Sequence, residues 1–212
     1  MKIALYSNHS NQNADLAQIT ASNKWDYSRL HNYTLITDRM PWGKHVEALE
    51  RLLDILSIHD AVLTIGSDVI FTNLLIPVEK IIQDHDHVVL ARETLGPSDP
   101  ANRHLGWSSI NNDVTLWQKT GATRHLIEQL IATAHTWTPL KCLWQEWLMY
   151  QLDDPASHAS KTIRTVHPRL MNSTIQSGES EWKPGDWILH LVGFSNPDKV
   201  KLAKQILNSQ QT

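Results

Sequence analysis

Two short segments of the sequence carry side chains that could bind a metal ion. Asp68 lies three residues after the apolar segment AVLTI (61–65), and His190 lies within a second apolar segment, DWILHLV (186–192). Ligands of α/β proteins collect at the carboxyl ends of the strands, so a carboxylate just beyond a strand is well placed to hold a divalent cation. A histidine binds such an ion through its neutral imidazole. Each residue also has a simpler interpretation on its own, as a turn former or as a core residue.

A lysine precedes the clearest helical pattern of the chain. Lys44 comes directly before HVEALERLLDIL (45–56), whose valine and leucines recur on one helical face. A cation at a helix N-terminus opposes the helix dipole, and this placement indicates an anion held nearby. A solvated lysine is the alternative and more common explanation.

Other motifs point away from several common kinds of site. The sequence has neither GxGxxG nor GxxxxGK[ST], the glycine loops that bind nucleotide phosphates, and it has no GxSxG of the common hydrolases. The tract DHDH (84–87) resembles a metal-binding tract, but it lies between a predicted helix and a predicted strand. We therefore interpret it as a polar connection.

Composition and charge limit the classes to which the protein can belong. The chain has 212 residues, of which 41% are hydrophobic, as in a globular protein with a substantial core. Its net charge of -3 does not favour nucleic acid or an acidic membrane as a partner, although a local basic patch is not excluded. The single cysteine excludes an internal disulfide and fits a reducing compartment. No apolar run approaches the roughly 18 residues of a membrane span, and the N-terminal run is too short for a signal peptide, so we expect a cytoplasmic protein.

Strand-like and helix-like segments alternate along the chain. This alternation predicts an α/β fold with a mostly parallel sheet flanked by helices, in one domain over residues 1–212. The strand at 61–65 is apolar almost throughout, so we expect both its faces to be covered. Turn-forming residues over 93–107 predict a functional loop. The predicted strands are 2–6, 33–38, 61–65, 87–92, 110–119, 161–166 and 186–192. The predicted helices are 14–31, 44–57, 77–82, one that Thr120 caps, 142–152, and 197–207 with Asn196 as its N-cap.

In this order, the segments resemble the metal-dependent glycosyltransferases of the galactosyl/mannosyl/xylosyl type, whose nucleotide-diphospho-sugar transferase fold is called GT-A. The family has a Trp-x-Lys before a leucine-rich helix and a buried strand leading into Asp-x-Asp, and this chain has WGKHVEALERLL and AVLTIGSDVIFTN at those places. Near its end the family has Gly-Asp-x-x-x-His-x-x-Gly, which GDWILHLVG matches in full. The remaining matches are WDYSRLHNY, NNDVTLW, LWQEWLMYQL and PRLMNST, so the resemblance covers about residues 3 to 193.

The resemblance implies a metal ion, manganese or magnesium, that Asp68 and His190 hold against the diphosphate of a nucleotide sugar. It also implies a transferase that retains the anomeric configuration and moves a UDP-linked hexose or pentose to an acceptor hydroxyl. The acceptor expected is a glycan, a lipid-linked saccharide, a protein or a modified nucleobase. The candidates for catalytic assistance beside the sugar are Asn112, Asp113, Gln145 and Glu146. The candidates for donor binding are Tyr6, Ser7, Asn8, Lys44, Ser67 and Gly193.

Two positions depart from the family pattern. Gly66 stands where the family has the first aspartate of Asp-x-Asp, and Asp113 stands where the family has a glycine. Loss of the first carboxylate could weaken metal binding, change the donor or mark a transferase without activity. A non-catalytic protein that binds a nucleotide sugar or a glycan on the same fold is therefore a competing hypothesis. An unrelated α/β metal hydrolase is a third.

Overall fold

The structure is a computed structural model that describes residues 1–41, 43–92, 110–138, 140, 143–176 and 179–210. The predicted loop at 93–107, Trp42 and Cys142 lie outside the described residues. In chain order, the strands are β1 (Ile3–His9), β2 (Thr34–Arg39), β3 (Ala61–Ile65), β4 (Val69–Phe71), β5 (Val88–Arg92), β6 (Ile110–Gln118), β7 (Ile163–Val166), β8 (Ser173–Gln176), β9 (Glu179–Ser180) and β10 (Ile188–Leu191). The α-helices are α1 (Ala14–Leu30), α2 (His45–Ile58), α3 (Gly121–Ala132), α4 (Ala134–Trp137), α5 (Leu143–Asp153), α6 (His158–Thr162), α7 (Pro168–Met171) and α8 (Asn196–Ser209). Two short 3₁₀ helices, Asn11–Asn13 and Val78–Lys80, complete the elements of the described residues.

The larger sheet has six strands in the order β2-β1-β3-β6-β5-β7. All of them run in one direction except β6, which is antiparallel to both of its neighbours. The predicted mostly parallel sheet is thus confirmed. Since β6 runs in reverse, its first residues meet the carboxyl end of β3, where Ile65 pairs with Val114.

Side chains on the two faces of this sheet belong to two different cores. Ala4 and Tyr6 of β1 pack on the side of α2, α3 and α5, whereas Ile3 and Leu5 pack on the side that holds Tyr27 of α1. Alternate residues of a strand point to opposite faces, so this strand is buried on both. The same holds for β3, as its apolar sequence predicts. No helix within the described residues is long and apolar enough to cross a membrane.

A smaller sheet with the order β4-β10-β8-β9 begins where the larger one ends. The chain leaves β3 at Ile65, turns through three residues and enters β4 at Val69. Val69 pairs with His190 of the antiparallel β10. This register brings the one histidine of β10 beside the turn that carries Asp68.

Several predicted boundaries are wrong, each for a local reason. Ser195, not Asn196, caps α8, because the Ser195 hydroxyl accepts a hydrogen bond from the backbone N–H of Asp198 at 3.4 Å. The first two residues of the predicted strand 161–166 belong to α6, which Ser157 caps. The segment 77–82 forms only the 3₁₀ helix Val78–Lys80. The predicted cap Thr120 is confirmed, since its hydroxyl accepts from the Thr123 N–H at 3.1 Å.

The DHDH tract is a structural connection, as interpreted from the sequence. Both oxygens of Asp86 accept from Arg164 of β7 at 2.6 Å, and the side chain of Asp86 is buried. The pair ties the chain before β5 to the edge strand of the larger sheet. Burial alone would raise the pKa of Asp86, but its bonds to Arg164 and to the Gln83 N–H lower it.

Asp186 connects two of the segments that carry the family resemblance. Its carboxylate is 7% exposed and accepts from Arg169 at 2.8 Å, from the Ser173 hydroxyl at 2.9 Å and from the Lys183 N–H at 2.9 Å. Burial would raise the pKa of Asp186, but these donors outweigh burial and lower it. The network fixes the turn before β10 against α7 and β8, and it thereby sets the position of His190.

We predict that Asp186→Ala lowers the free energy of unfolding by about 2–4 kcal/mol, because it leaves the buried Ser173 hydroxyl and several partly buried donors without an acceptor. Urea denaturation measures the change. The control is Glu128→Ala, which removes an ion pair with Arg124 whose side chains are 74% and 48% exposed. That variant should lose less than about 0.5 kcal/mol. Equal losses in the two variants would contradict the role assigned to Asp186.

Lys24 of α1 is a buried lysine that connects two central strands near their carboxyl ends. Its Nζ donates to the Gly66 carbonyl at 2.8 Å, to the Thr20 hydroxyl at 3.2 Å and to the Ser7 hydroxyl at 3.4 Å. Burial lowers the pKa of Lys24 from its ordinary value of 10.5 to about 7, and the negative charge of Asp68 opposes this shift. A lysine was not expected at this place, because nothing in the helix sequence distinguishes it from an exposed one.

We predict a pH dependence of stability that Lys24→Met removes. Between pH 7 and pH 10 the unfolded chain keeps a proton on Lys24 that the folded chain has lost, so the stability of the wild type rises with pH. Relative to Lys24→Met, the wild type should gain about 2–4 kcal/mol over this range in urea denaturation. Lys204→Met, at an exposed position of α8, is the control and should give a constant difference. A constant difference for Lys24→Met as well would show that burial does not shift this group.

Candidate active site

A cavity of about 420 Å³ opens at the carboxyl ends of β1 and β3. Its wall includes Asn8 from β1, the turn 66–68, the first residues of α2, and residues 112–113 from β6. The first residues of α5 and Lys199 of α8 complete it. The cavity therefore lies where open α/β sheets bind their ligands.

Asp68, Asp113 and His190 form a cluster at this cavity. The His190 Nε2 lies 3.1 Å from an oxygen of Asp113 and 3.5 Å from an oxygen of Asp68. One ligand atom from each of the three residues lies within 4.8 Å of the other two. His190 is almost fully buried, Asp68 is 14% exposed and Asp113 is 50% exposed at the side chain, so the cluster opens toward the cavity on the side of Asp113.

Charges within the cluster compensate one another. Burial alone would lower the pKa of His190, but the carboxylates of Asp68 and Asp113 raise it to about 10. Burial alone would raise the pKa of Asp68, but the positive charges of His190 and Lys199 hold it well below its usual range. The two carboxylates therefore favour the protonated form of the imidazole, which lies between them.

A lysine from the last helix contributes a second cation. Lys199 Nζ lies 2.5 Å from Asp68 Oδ2, and both side chains are mostly buried. The sequence carries no sign of this pair, because its members are 131 positions apart and α8 has charged residues on several faces. A metal ion at Asp68 has to compete with the Lys199 ammonium for the same oxygen.

The position of Asp113 follows from an irregularity in β6. Leu90 of β5 pairs with Thr115 and the next residue, Ala91, pairs with Asn111, so residues 112–114 have no partner on β5. Such bulges re-aim side chains at the ends of sheets. The Asn111 side chain accepts from the Asp113 N–H at 3.1 Å, and it also accepts from the Asn172 side chain at 2.9 Å. Asn111 belongs to the NNDVTLW segment and Asn172 to the PRLMNST segment. Two of the segments that carry the family resemblance therefore stabilise the bulge together.

The other candidates for catalytic assistance divide into two groups. Asn112 lines the cavity, and its backbone N–H donates to the side-chain oxygen of Gln145 at 3.2 Å. Gln145 thus holds the bulge from α5. Glu146 is half-buried on the same helix, and it is not among the described residues that line the cavity.

The candidates for donor binding also divide. The cavity is lined by Tyr6, Asn8, Lys44 and Ser67. Lys44 pairs with Glu47 in the first turn of α2, and this acidic neighbour makes a cation at the helix start acceptable. Two candidates lie outside the described wall of the cavity: Ser7 is buried beside Lys24, and Gly193 follows β10 with a φ of +74°, which favours glycine. Their predicted roles in donor binding stay predictions.

The cluster fits a divalent cation by the chemistry of its donors. Two carboxylates and one imidazole are an oxygen/nitrogen set of the kind that binds manganese or magnesium. Binding would require a neutral His190, and therefore the release of its proton. The residues that would hold the ion are Asp68, Asp113 and His190.

Comparison with known proteins connects this geometry to one fold. No protein-family profile matches the sequence, and no curated protein matches it. Among solved structures, the chain is similar to a glycosyltransferase involved in the glycosylation of the major capsid of PBCV-1, with a TM-score of 0.75 and 14% identity over 97% of this chain and 100% of the other. It is also similar to the galactosyltransferase LgtC, with a TM-score of 0.62 and 10% identity over 99% and 96% of the two chains. A third similar structure is the glycosyltransferase GlyE of Streptococcus pneumoniae, with a TM-score of 0.58 and 14% identity over 99% of this chain and 63% of the other.

These likenesses agree with the mostly parallel sheet flanked by helices. At such low identity they establish architecture. The chain has the GT-A fold of glycosyltransferases.

Proposed function

We propose that the protein is a glycosyltransferase that moves a sugar from a nucleotide diphosphate sugar to an acceptor hydroxyl. The observation that carries the proposal is the cluster of Asp68, Asp113 and His190 at the mouth of the cavity, on a GT-A fold. Each of the three residues comes from a different part of the chain. Such convergence of ionisable groups on one cavity is typical of a functional site.

The charges of the cavity suit a donor with a diphosphate. Lys44 and Lys199 line it and offer cationic groups to phosphate oxygens, although each is paired with a carboxylate in the structure. A divalent cation held by the cluster would act as a Lewis acid toward the leaving diphosphate. We propose manganese or magnesium for this role, and a UDP-linked hexose or pentose as the donor.

The sugar itself would lie toward the β6 bulge. Asn112 is on the cavity wall there, and Gln145 fixes the backbone at Asn112 through a bond to its N–H. We assign Asn112 to contact with the sugar and Gln145 to positioning of Asn112. Retention of the anomeric configuration is part of the proposal and rests on the family resemblance. We assign no contact with the donor to Glu146 or Gly193.

The acceptor in this proposal is a hydroxyl of a glycan, a lipid-linked saccharide, a protein or a modified nucleobase. The similar structures act in capsid glycosylation and in galactosyl transfer, which supports a saccharide or protein acceptor. We also propose that the protein works in the cytoplasm, because its single cysteine fits a reducing compartment.

A second candidate function is a protein that binds a nucleotide sugar or glycan without turnover. Two observations favour it: Gly66 lacks the family's first carboxylate, and Lys199 already neutralises Asp68. Nucleotide binding that raises the melting temperature, with no sugar transfer from any donor, would establish this alternative.

We predict that the protein releases nucleotide diphosphate from one member of a UDP- and GDP-sugar panel when manganese and one of the four acceptor classes are present. Asp68→Asn and His190→Gln should each lower the rate at least about 100-fold, because each removes a group that would hold the cation. Asp26→Asn, at an exposed position of α1, is the control and should keep the wild-type rate. Unchanged release in the Asp68 and His190 variants would refute the assignment of the site.

Manganese affinity tests whether Lys199 competes with a metal ion for Asp68. Lys199→Met should tighten manganese binding about threefold to tenfold, because it removes a cation that competes for Asp68 and repels the ion. Isothermal titration calorimetry measures the affinity. Lys201→Met, at an exposed position of the same helix, removes an equal charge and should change the affinity less than about twofold. Weaker binding in Lys199→Met would mean that this lysine supports the ion instead of competing with it.

A further inference from the structure

Position 66 and position 113 are neighbours across two strands. The Gly66 N–H donates to the Asp113 carbonyl at 2.9 Å, directly after the pair formed by Ile65 and Val114. Residues opposite each other on adjacent antiparallel strands project from the same face of a sheet. A Cβ atom placed on Gly66 would lie 3.6 Å from the Cβ of Asp113. A side chain at position 66 would therefore begin in van der Waals contact with the side chain of Asp113.

The Asp113 carboxylate already lies beside His190 and the cavity, where a carboxylate at position 66 would also lie. Its Oδ2 is 3.1 Å from His190 Nε2, and its side chain is half-exposed at the cavity. Of the described residues, only Asp68, Asp113 and His190 form a group whose ligand atoms lie close enough for one ion. Asp113 is thus within reach of an ion held by the other two.

We propose that Asp113 supplies the carboxylate that position 66 lacks, so that the third ligand has moved from the end of β3 to the neighbouring strand β6. The inference rests on the proposed function for the identity of the ion as manganese or magnesium. It joins both departures from the family pattern in one exchange, a glycine for an aspartate at position 66 and an aspartate for a glycine at position 113. It also changes the role of Asp113 from assistance beside the sugar to metal binding.

An aspartate at position 66 would disturb Asp68 sterically and would oppose the charge of Asp113. A Cβ on Gly66 would come within 2.8 Å of Asp68 Oδ1, so the Asp68 carboxylate would have to move. Carboxylates at both 66 and 113 would also lie beside each other, where like charges oppose ionisation. Glycine at position 66 leaves room for Asp68 in its present orientation while Asp113 provides the negative charge.

The test is a set of manganese titrations that are measured by calorimetry, with no sugar donor present. The variants are Asp68→Asn, Asp113→Asn, Asp113→Ser, Gly66→Asp, and Gly66→Asp combined with Asp113→Asn. Both Asp113 variants should weaken binding at least about tenfold, and Asp68→Asn should do the same. The combined variant should recover at least about fivefold relative to Asp113→Asn, whereas Gly66→Asp alone should not bind more tightly than the wild type. Asp26→Asn is the control for loss of one negative charge.

Manganese affinities in Asp113→Asn and Asp113→Ser within about twofold of the wild type would overturn the inference, as would a wild type that binds no manganese. A weakened Asp113→Asn with no recovery in the combined variant would overturn the exchange. Circular dichroism and melting temperature establish that each variant is folded, which the half-exposed position of Asp113 favours. The sugar-transfer assay is independent: transfer without an effect of Asp113 on manganese binding refutes the inference alone, and the reverse result refutes the proposed function alone.

Discussion

The three-residue turn between β3 and β4 joins the two sheets, and all three of its carbonyl groups are held by hydrogen bonds. The Gly66 carbonyl accepts from Lys24 at 2.8 Å, the Ser67 carbonyl from the Thr20 hydroxyl at 2.9 Å, and the Asp68 carbonyl from the Leu191 N–H at 3.2 Å. These donors come from α1 and from the residue after His190. The candidate site depends on this turn, because its position determines where Asp68 points relative to β10 and β6.

A second constraint is that the buried charges of the candidate site must neutralise one another. Two carboxylates, an imidazole and a lysine ammonium are gathered where the side chains of His190, Asp68 and Lys199 are largely buried. Buried charges are tolerated when they are paired, and here each charge has an opposite charge within hydrogen-bonding or near-contact distance. The pairing also makes the cluster responsive to other cations and anions, since a metal ion or a diphosphate exchanges partners with groups already present. This property links the structure to the proposed transfer chemistry.

A network of side chains outside the site connects several of the segments that carry the family resemblance. Arg169 and Ser173 hold Asp186 before β10, and Asn172 holds Asn111 at the bulge of β6. None of these five side chains belongs to the proposed metal site. They determine the orientation of the strands from which His190 and Asp113 project. Several residues in the segments that carry the family resemblance thus act by orienting these strands.

Local patterns in the sequence predicted most of the fold. The apolar run at 61–65 and the helical spacing over 45–56 depend on residues close in sequence, so the strands of the larger sheet, the longer helices and their alternation could be predicted. Strands β4, β8 and β9 of the smaller sheet were not predicted, because they are only two to four residues long. Helix and strand ends were less well predicted, as at Ser195 and α6, because a cap is decided by one side chain. Asp68 and His190 could be selected from their places at strand ends and from the resemblance.

The sequence by itself therefore determined the strands of the larger sheet, the longer helices and the two side chains that were candidates as metal ligands. Only the tertiary structure decided their surroundings. Lys199 meets Asp68 across 131 positions, Lys24 reaches the turn from α1, and Asp113 stands beside Gly66 only because β6 runs antiparallel to β3. The physical reason is that electrostatic interactions and ligand geometry depend on distance in space, and strand register and helix packing, which determine that distance, are properties of the whole folded chain.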